Sequence, residues 1–509
     1  MKNWPRFWVG PSESATPARI AIAHGEIYFS ISNISGAVWV PVFRIVMKRL
    51  LAIAFLTLRA AFRYRLVLVL LTLLMGLVVA LPMLIKDDGT ARGFTQILLT
   101  YTLSAITALL GFTTLWLACG TLAREVEECQ LQMVAVKPVA RWQIWIGKWL
   151  GILMLNAMLL IPSSGAVYGL LVWRAQRLPE AQQAILRNEV LVARSGVRET
   201  FRDLTPVIEE SYQEVLKQNT VAPESRQLLR DQVREQVKAE FQIVRSGYMR
   251  RWEIELGAAR KFLKDQPLYI RTKFAVARQT STLEDTTLYP TVWQVGVAGT
   301  TNTWQMRRKL AADTMHELPI PANLFDQNGR LTIECANAGE VDLLFLLDDG
   351  MEVLYRDGGF AVNFARGVTI IFCWMALLAA IGLAAASFLS FPVAAFVALG
   401  ILVVGFSSGT MAQVLEEGGV TGVNHETGRV TSPGLIDRVA VPLFSGMLKV
   451  INLVQGFSPI DNLSSGRTIS WEQLGLALLQ IVGVMGGIFG CVGIYLFTRR
   501  ELAATQGGQ

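Results

Sequence analysis

Long, mainly apolar runs recur at about residues 66–85, 97–121, 144–173, 367–389, 391–412 and 474–497. Each reaches or passes the roughly 20 residues that a helix needs to cross the hydrocarbon core of a bilayer. The pattern predicts six transmembrane helices. Between the third and fourth runs the chain turns polar and charged over about 174–366, too long a stretch for a loop, which predicts a separate domain. By parity that domain is extracytoplasmic, opposite both termini. Residues 50–58 are apolar and lead into Arg59, Arg63 and Arg65, where a cleavable leader would need small uncharged residues. An amphipathic elbow helix on the inner leaflet fits better.

At 122–136 the residues Leu122, Val126, Cys129, Met133 and Val136 recur at spacings of three and four, predicting a helix that lies along the membrane surface. Pro138 ends it, because proline supplies no backbone donor and biases the preceding residue away from helix. Arg141 and Lys148 then hold the start of the third span at the headgroups.

Inside the polar block the period changes. Phe201, Leu204, Ile208, Tyr212 and Val215 mark one side of a helix opened by Thr205-Pro206. Leu229, Val233, Val237, Phe241, Val244, Tyr248 and Trp252 mark a second helix beginning near Pro223. From Leu268 the period is two, as in Ile270, Thr272, Phe274 and Val276. Val341, Leu343, Phe345 and Leu347 run through Asp348-Asp349-Gly350 into Met351, Val353 and Tyr355, a strand, a tight turn and a strand. The expected fold class is an α-helical membrane protein with an inserted extracytoplasmic α+β domain, a helical hairpin plus a jelly-roll-like β-sandwich. Its divisions are an N-terminal extension without assigned role (1–46), the elbow helix and spans one to three (47–173), a helical stalk (174–265), the sandwich (266–365), and spans four to six (366–509). Met47-Lys48-Arg49 makes a natural start of translation. An outer loop, 414–470, carries an apolar stretch at 441–457, too short to span and suited to the outer leaflet.

A mean hydropathy of +0.40, with 52% hydrophobic and 17% charged residues, agrees with a chain embedded in a membrane. The net charge of +7 does not form a nucleic-acid patch. Its basic residues cluster beside spans, at Arg44, Lys48, Arg49, Arg59, Arg63 and Arg65, at Lys137, Arg141 and Lys148, and at Arg499 and Arg500. With six spans all three clusters share one side, which the positive-inside rule makes the cytoplasm. Cys335 is the lone cysteine in the outer domain, so no intrachain disulfide is expected there. No metal site is expected either, because no Cys-x-x-Cys occurs and the histidines are scattered.

The sequence around the second and third spans resembles the ABC-2 type permeases, the membrane subunits of ABC transporters. The residues that carry the resemblance are Arg124-Glu125, Lys137-Pro138-Val139-x-Arg141 and Gly147-Lys148-x-x-Gly151. Glu128-Cys129 stands where the family has a Gly-Thr pair. The turn 388–393 and the tail 497–502 look similar to the family as well. The resemblance covers both membrane halves but not the outer insertion, and it implies a dimer or pseudo-dimer.

No expected span carries an ionisable residue near its middle, as an ion-coupled carrier would need. The sequence has no phosphate-binding Gly-x-x-x-x-Gly-Lys-Ser/Thr loop, so the chain is not expected to be an enzyme or to hold a cofactor, and ATP would be bound by a separate ABC ATPase. The expected coupling residues are Arg124, Glu125, Glu127, Glu128, Lys137, Pro138 and Arg141. In the last span Gly483, Gly486, Gly487, Gly490 and Gly493 form small-x-x-x-small pairs suited to close helix packing within one subunit. Trp293, Trp304 and Tyr289 offer a platform for a glycan, against the core role that aromatics ordinarily take in a small sandwich. The expectation is an ATP-driven exporter of an apolar or amphiphilic cargo in the bacterial cytoplasmic membrane. The alternative is a non-transporting protein that relays motion to, or anchors, an extracytoplasmic partner- or carbohydrate-binding domain.

Overall fold

The computed structural model describes residues 22–23, 26–27, 39–63, 65–84, 90–128, 139–186, 190–199, 204–218, 226–261, 263–276, 288–297, 300, 302–347, 350–407, 411, 415 and 435–500. Five helices among them are long and apolar enough to cross a membrane. They are α2 (Leu66–Leu84), α3 (Ala91–Glu127), α4 (Arg141–Ala175), α8 (Phe360–Ala386) and α12 (Trp471–Arg499). The expected fifth span appears as α9 (Phe391–Phe406), whose 16 residues give about 24 Å, short of the ~30 Å hydrocarbon core. The rest of 391–412 lies outside the described residues apart from Ser407 and Met411. Still, Phe391 sits against Glu127 at one end of the bundle, while Leu463, in α11 (Pro459–Ser464), packs on Gly367 near the other. The chain therefore changes ends between them.

The expected surface helix at 122–136 does not begin where the apolar spacing placed it. Residues 122–127 are the closing turns of α3, whose 37 residues make about 55 Å of helix and project past the ~30 Å core. The reason is local: Leu, Ala, Arg and Glu are good helix formers and no breaker interrupts them. Residues 129–138, Lys137 and Pro138 among them, lie outside the described residues.

The bundle is drawn together by small residues. Helix α1 (Trp39–Arg63), which runs across the expected boundary at Met47, packs along α4. A Cβ on Gly147 would lie 2.7 Å from Ile53 Cβ, and one on Gly151 would lie 2.8 Å from the Ala54 carbonyl oxygen. The Gly147-Lys148-x-x-Gly151 segment is thus a close-packing seam. Helix α8 is the most enclosed of the spans and touches α3, α4, α9 and α12. Its Gly382 meets Ala118 of α3 in the same way, at 2.7 Å. In α12 the packing glycines are Gly490 and Gly493, which lie against Trp145 of the same chain. Among the described residues no neighbour approaches Gly487, and the only atoms near Gly483 and Gly486 belong to their own helix, which winds as a π-helix over Leu478–Gly486.

The polar block holds eight strands of five or more residues among the described residues: β1 (Val192–Val197), β2 (Met249–Glu255), β3 (Leu268–Thr272), β4 (Leu288–Gly296), β5 (Thr303–Ala311), β6 (His316–Ile320), β7 (Arg330–Asn337) and β8 (Met351–Gly359). They form two antiparallel sheets, ordered β6-β3-β8-β1 and β2-β7-β4-β5. β1 pairs with β8, β2 with β7, β3 with β6 and β4 with β5, the wrapping of one long folded hairpin. Trp252, Ile254, Ile270, Trp293, Val295, Ile333, Cys335 and Val353 fill the single core between the sheets.

Four expectations change here. The second stalk helix stops at Gln242, because the turn at Ser246-Gly247, with Gly247 at φ +75°, sends Met249–Glu255 into β2. The sandwich therefore starts at β1, and the helical hairpin α6 (Thr205–Gln218) and α7 (Arg226–Gln242) is inserted between β1 and β2. Residues 341–347 do not pair with Met351–Gly359. Leu343–Leu344 joins Ile243–Val244 and Ala275–Val276 in a small third sheet, and the alternation reflects burial of Leu343 and Phe345 in the core. Trp293 is fully buried and stacked on Trp252 at 6.3 Å, so it forms no glycan platform.

Gly151→Leu is expected to destabilise the protein by about 1–3 kcal/mol or more through overpacking of α1 on α4, while Gly487→Leu leaves it unchanged. Thermal unfolding in detergent followed by size-exclusion chromatography checks both.

Candidate functional site

Two polar assemblies stand out, one at each end of the bundle. At the end away from the sandwich, Arg141 opens α4 and donates to the carbonyls of Phe497, Thr498 and Arg500 at 3.0, 2.7 and 2.8 Å. Those carbonyls close α12 and lack partners within the helix, and a cation there also meets the negative end of the helix dipole. Arg500 in turn donates to the carbonyls of Ala386 and Ser387 at the end of α8, at 3.2 and 3.4 Å. Lys148 does not reach for headgroups. It is buried between α3 and α4, where Nζ lies 2.6 Å from Glu125 Oε1 and donates to the Thr121 carbonyl at 3.1 Å. The Glu127 carboxylate accepts from the Phe391 amide at 2.8 Å, a negative group at the start of α9, and the Arg124 guanidinium lies 4.2 Å over the Phe391 ring. The last turn of α3 thus holds α4 and α9, and Arg141 with Arg500 ties α4, α12 and α8.

Of the expected coupling residues, Arg124, Glu125, Glu127 and Arg141 are brought together here in contacts within the chain. Arg124, Glu127 and Glu128 keep exposed surface, as does Trp142 beside them. Lys137 and Pro138 lie outside the described residues. Midway along the spans, Thr114 of α3 donates to Asn156 Oδ1 of α4 at 2.8 Å, a buried polar tie.

At the sandwich end, β8 runs directly into α8, with Gly359 ending the strand and Phe360 starting the helix. Beside this junction the chain entering α12 is bonded to the sheet edge. The Arg194 amide donates to the Gly466 carbonyl at 2.9 Å, and the Thr468 amide donates to the Arg194 carbonyl at 2.8 Å, which covers β1. Asn363 of α8 grips the same segment: its Nδ2 donates to the Arg467 carbonyl and its Oδ1 accepts from the Ile469 amide, both at 2.7 Å. Arg366 donates to the Ile469 carbonyl at 2.7 Å. Two ion pairs flank the seam, Arg194 with Glu317 at 2.9 Å and Arg467 with Glu352 at 2.5 Å. Arg271 lies among them. Burial weakens its hold on its proton, the Arg467 and Arg194 charges push the same way, and Glu317 and Glu352 oppose it.

Nothing in the sequence patterns pointed to this second assembly. The available signal was Asn363 and Arg366 in the first turns of an apolar helix, where polar side chains require partners. Burial also pushes the Cys335 thiol upward, which suits a core residue rather than a reactive one. Among the described residues no group of three or more His, Cys, Asp or Glu is placed to hold a metal ion. Comparison with protein-family models, curated proteins and solved structures gives no match for this chain.

Glu125→Gln is expected to lower the thermal midpoint by several degrees, because it leaves the Lys148 ammonium buried without its counter-charge. Adding Lys148→Met should restore most of the loss, and a double-mutant cycle measures the coupling. Asn363→Leu is expected to cost roughly 2–5 kcal/mol, since it strands two buried backbone groups, with faster amide exchange at 466–469.

Proposed function

We propose that the chain is the membrane subunit of an ABC-2 type, ATP-driven transporter, acting with a separate ATPase subunit as a dimer or pseudo-dimer. The observation that carries this reading is the knot of helix ends away from the sandwich. Because Arg141, Arg500, Glu125 and Glu127 tie α3, α4, α8, α9 and α12 there, a push from a docked partner reaches these helices together. The exposed Arg124, Glu127, Glu128 and Trp142 give that partner a mixed charged and aromatic surface.

The remaining features fit this frame. The passage of the chain between Phe391 and Leu463 supports a sixth crossing and termini on one side. Arg44, Lys48, Arg49, Arg59, Arg63, Arg141, Arg499 and Arg500 then share the knot's side, which the charge rule makes the cytoplasm of a bacterial inner membrane. The sandwich is extracytoplasmic, and its hairpin-like wrapping is the jelly-roll arrangement. The absence of a phosphate loop from the sequence leaves ATP to the partner. An apolar or amphiphilic cargo, moved outward, suits spans whose interior contacts are apolar apart from ties such as Thr114 with Asn156.

A second reading has its own support. The unbroken passage from α8 to β8 favours a non-transporting relay, in which rearrangement of the spans moves the sandwich and its outside partner.

Purification of the tagged full-length protein from its host in mild detergent, with identification of bound proteins, tests the first reading. An ATPase is expected with the wild type and lost with a Glu128→Lys, Trp142→Glu variant that still elutes as a folded species. If no ATPase accompanies intact wild-type protein, the transporter reading fails and the relay stands without ATP.

A further inference from the structure

Where β8 becomes α8 a cavity of about 330 Å³ opens beside the seam, with Asp357, Gly359, Val362, Arg366, Thr468 and Trp471 in its lining. That volume is at the lower end of small-ligand sites. Four observations bear on what it holds. Arg366 and Asp357 line the same space without pairing with each other. The guanidinium is fixed by the Ile469 carbonyl and by the Trp471 ring 4.2 Å away, and its Nε is buried with no acceptor among the described residues. Among the described residues the Asp357 carboxylate accepts only a long bond, 3.3 Å, from the Thr468 hydroxyl, and Asp357 is the extra residue where the β1–β8 register shifts between Arg356 and Gly358. Such a bulge turns a side chain out of the ladder.

The cavity's position is equally specific. It lies at the first turns of α8 and α12, both apolar enough to span a membrane, and at their sandwich ends. The helix α8 begins at Phe360, and Gly359 before it supplies no side-chain cap, so the positive end of a 27-residue helix lies beside this cavity. Trp471 is 66% exposed and Val362 50% exposed at the rim. An exposed tryptophan at the start of a span is the residue type that settles at the headgroup level. A soluble metabolite site has no need of that placement.

We infer that this cavity binds the headgroup of an amino-bearing zwitterionic phospholipid, of the phosphatidylethanolamine class. The phosphate rests against Arg366 and the uncapped start of α8, the ammonium meets Asp357, and the acyl chains pass Val362 and Trp471 into the bilayer. Separated opposite charges in one cavity select a zwitterion over a simple anion, which would be repelled by the carboxylate. A quaternary amine has no N–H to donate to Asp357, which separates ethanolamine from choline headgroups. Bound there, the lipid bridges β8, α8 and the segment before α12, the three pieces that join sandwich to spans. The inference rests on the membrane placement of the spans and not on the ATPase reading.

The test uses the full-length protein, delipidated in detergent and titrated with phosphatidylethanolamine, phosphatidylcholine or phosphatidylglycerol, with thermal unfolding and native mass spectrometry as readouts. Phosphatidylethanolamine is expected to bind about tenfold more tightly than either of the others, a difference of about 1.4 kcal/mol. In Asp357→Asn, which can still accept from Thr468, that preference is expected to vanish while phosphatidylglycerol binds as well or better. Equal binding of the three lipids by wild-type protein overturns the inference without recourse to any variant. An unchanged preference in Asp357→Asn removes Asp357 from the site and also overturns it. Full protection by water-soluble glycerophosphoethanolamine at the lipid's concentration would show a soluble ligand site instead.

Discussion

The passage of β8 into α8 without an intervening loop is the constraint on which the rest of the molecule depends. β8 lies inside the sheet between β3 and β1, and α8 is the most enclosed span, so the chain threads the middle of one layer of each domain in a single stroke. A loop there would have let the sandwich swing. Gly359 instead hands an extended backbone to Phe360, and the seam made by Arg194, Gly466, Thr468 and Asn363 fastens a second strand of chain across the joint. Two connections fix the relative orientation of two bodies far better than one. A tilt of α8 by about 5° would carry the far end of β8, some 30 Å of strand away, through roughly 2–3 Å.

The charge distribution around that joint explains its rigidity and its cost. Arg194, Arg271 and Arg467 face Glu317 and Glu352, so the cluster carries one positive charge in excess. Ion pairs taken out of water return little net stability, because desolvation offsets the attraction. What they supply is geometry: each guanidinium has a limited set of partners, and a slip of the seam by one residue would leave several of them buried and unmatched. The same logic holds at the other end, where Lys148 and Glu125 set the register of α4 against α3.

Much of this organisation was legible in the sequence because it depends on period and composition. Spans at Leu66–Leu84, Ala91–Glu127, Arg141–Ala175, Phe360–Ala386 and Trp471–Arg499 follow from apolar length alone. The strand at Met351–Gly359 follows from alternation. The failures have physical reasons. Tyr248 and Trp252 continue a helical spacing that a left-handed glycine at 247 cancels, and a periodicity count does not register backbone conformation. The apolar spacing at Leu122 and Val126 predicts a surface helix with that side on the membrane, whereas Leu122 is buried and Val126 packs against the same core cluster. The polar joint is illegible because its partners, from Arg194 to Thr468, are far apart in the chain and meet only through the fold.

The same joint gives a reason for a lipid to belong there. A protein whose sandwich is joined to its spans without a loop places its stiffest connection at the depth where bilayer meets water, and that depth offers polar backbone to lipid headgroups. The Arg366–Trp471 stack and the uncapped start of α8 face this layer, and among the described residues neither side chain has a partner from the sandwich core. A headgroup seated between them would complete the first turn of α8 and brace the bulge at Asp357. The membrane then serves as a third element of the joint, and a change in lipid composition acts on the coupling between spans and sandwich without touching the helix knot at the opposite end.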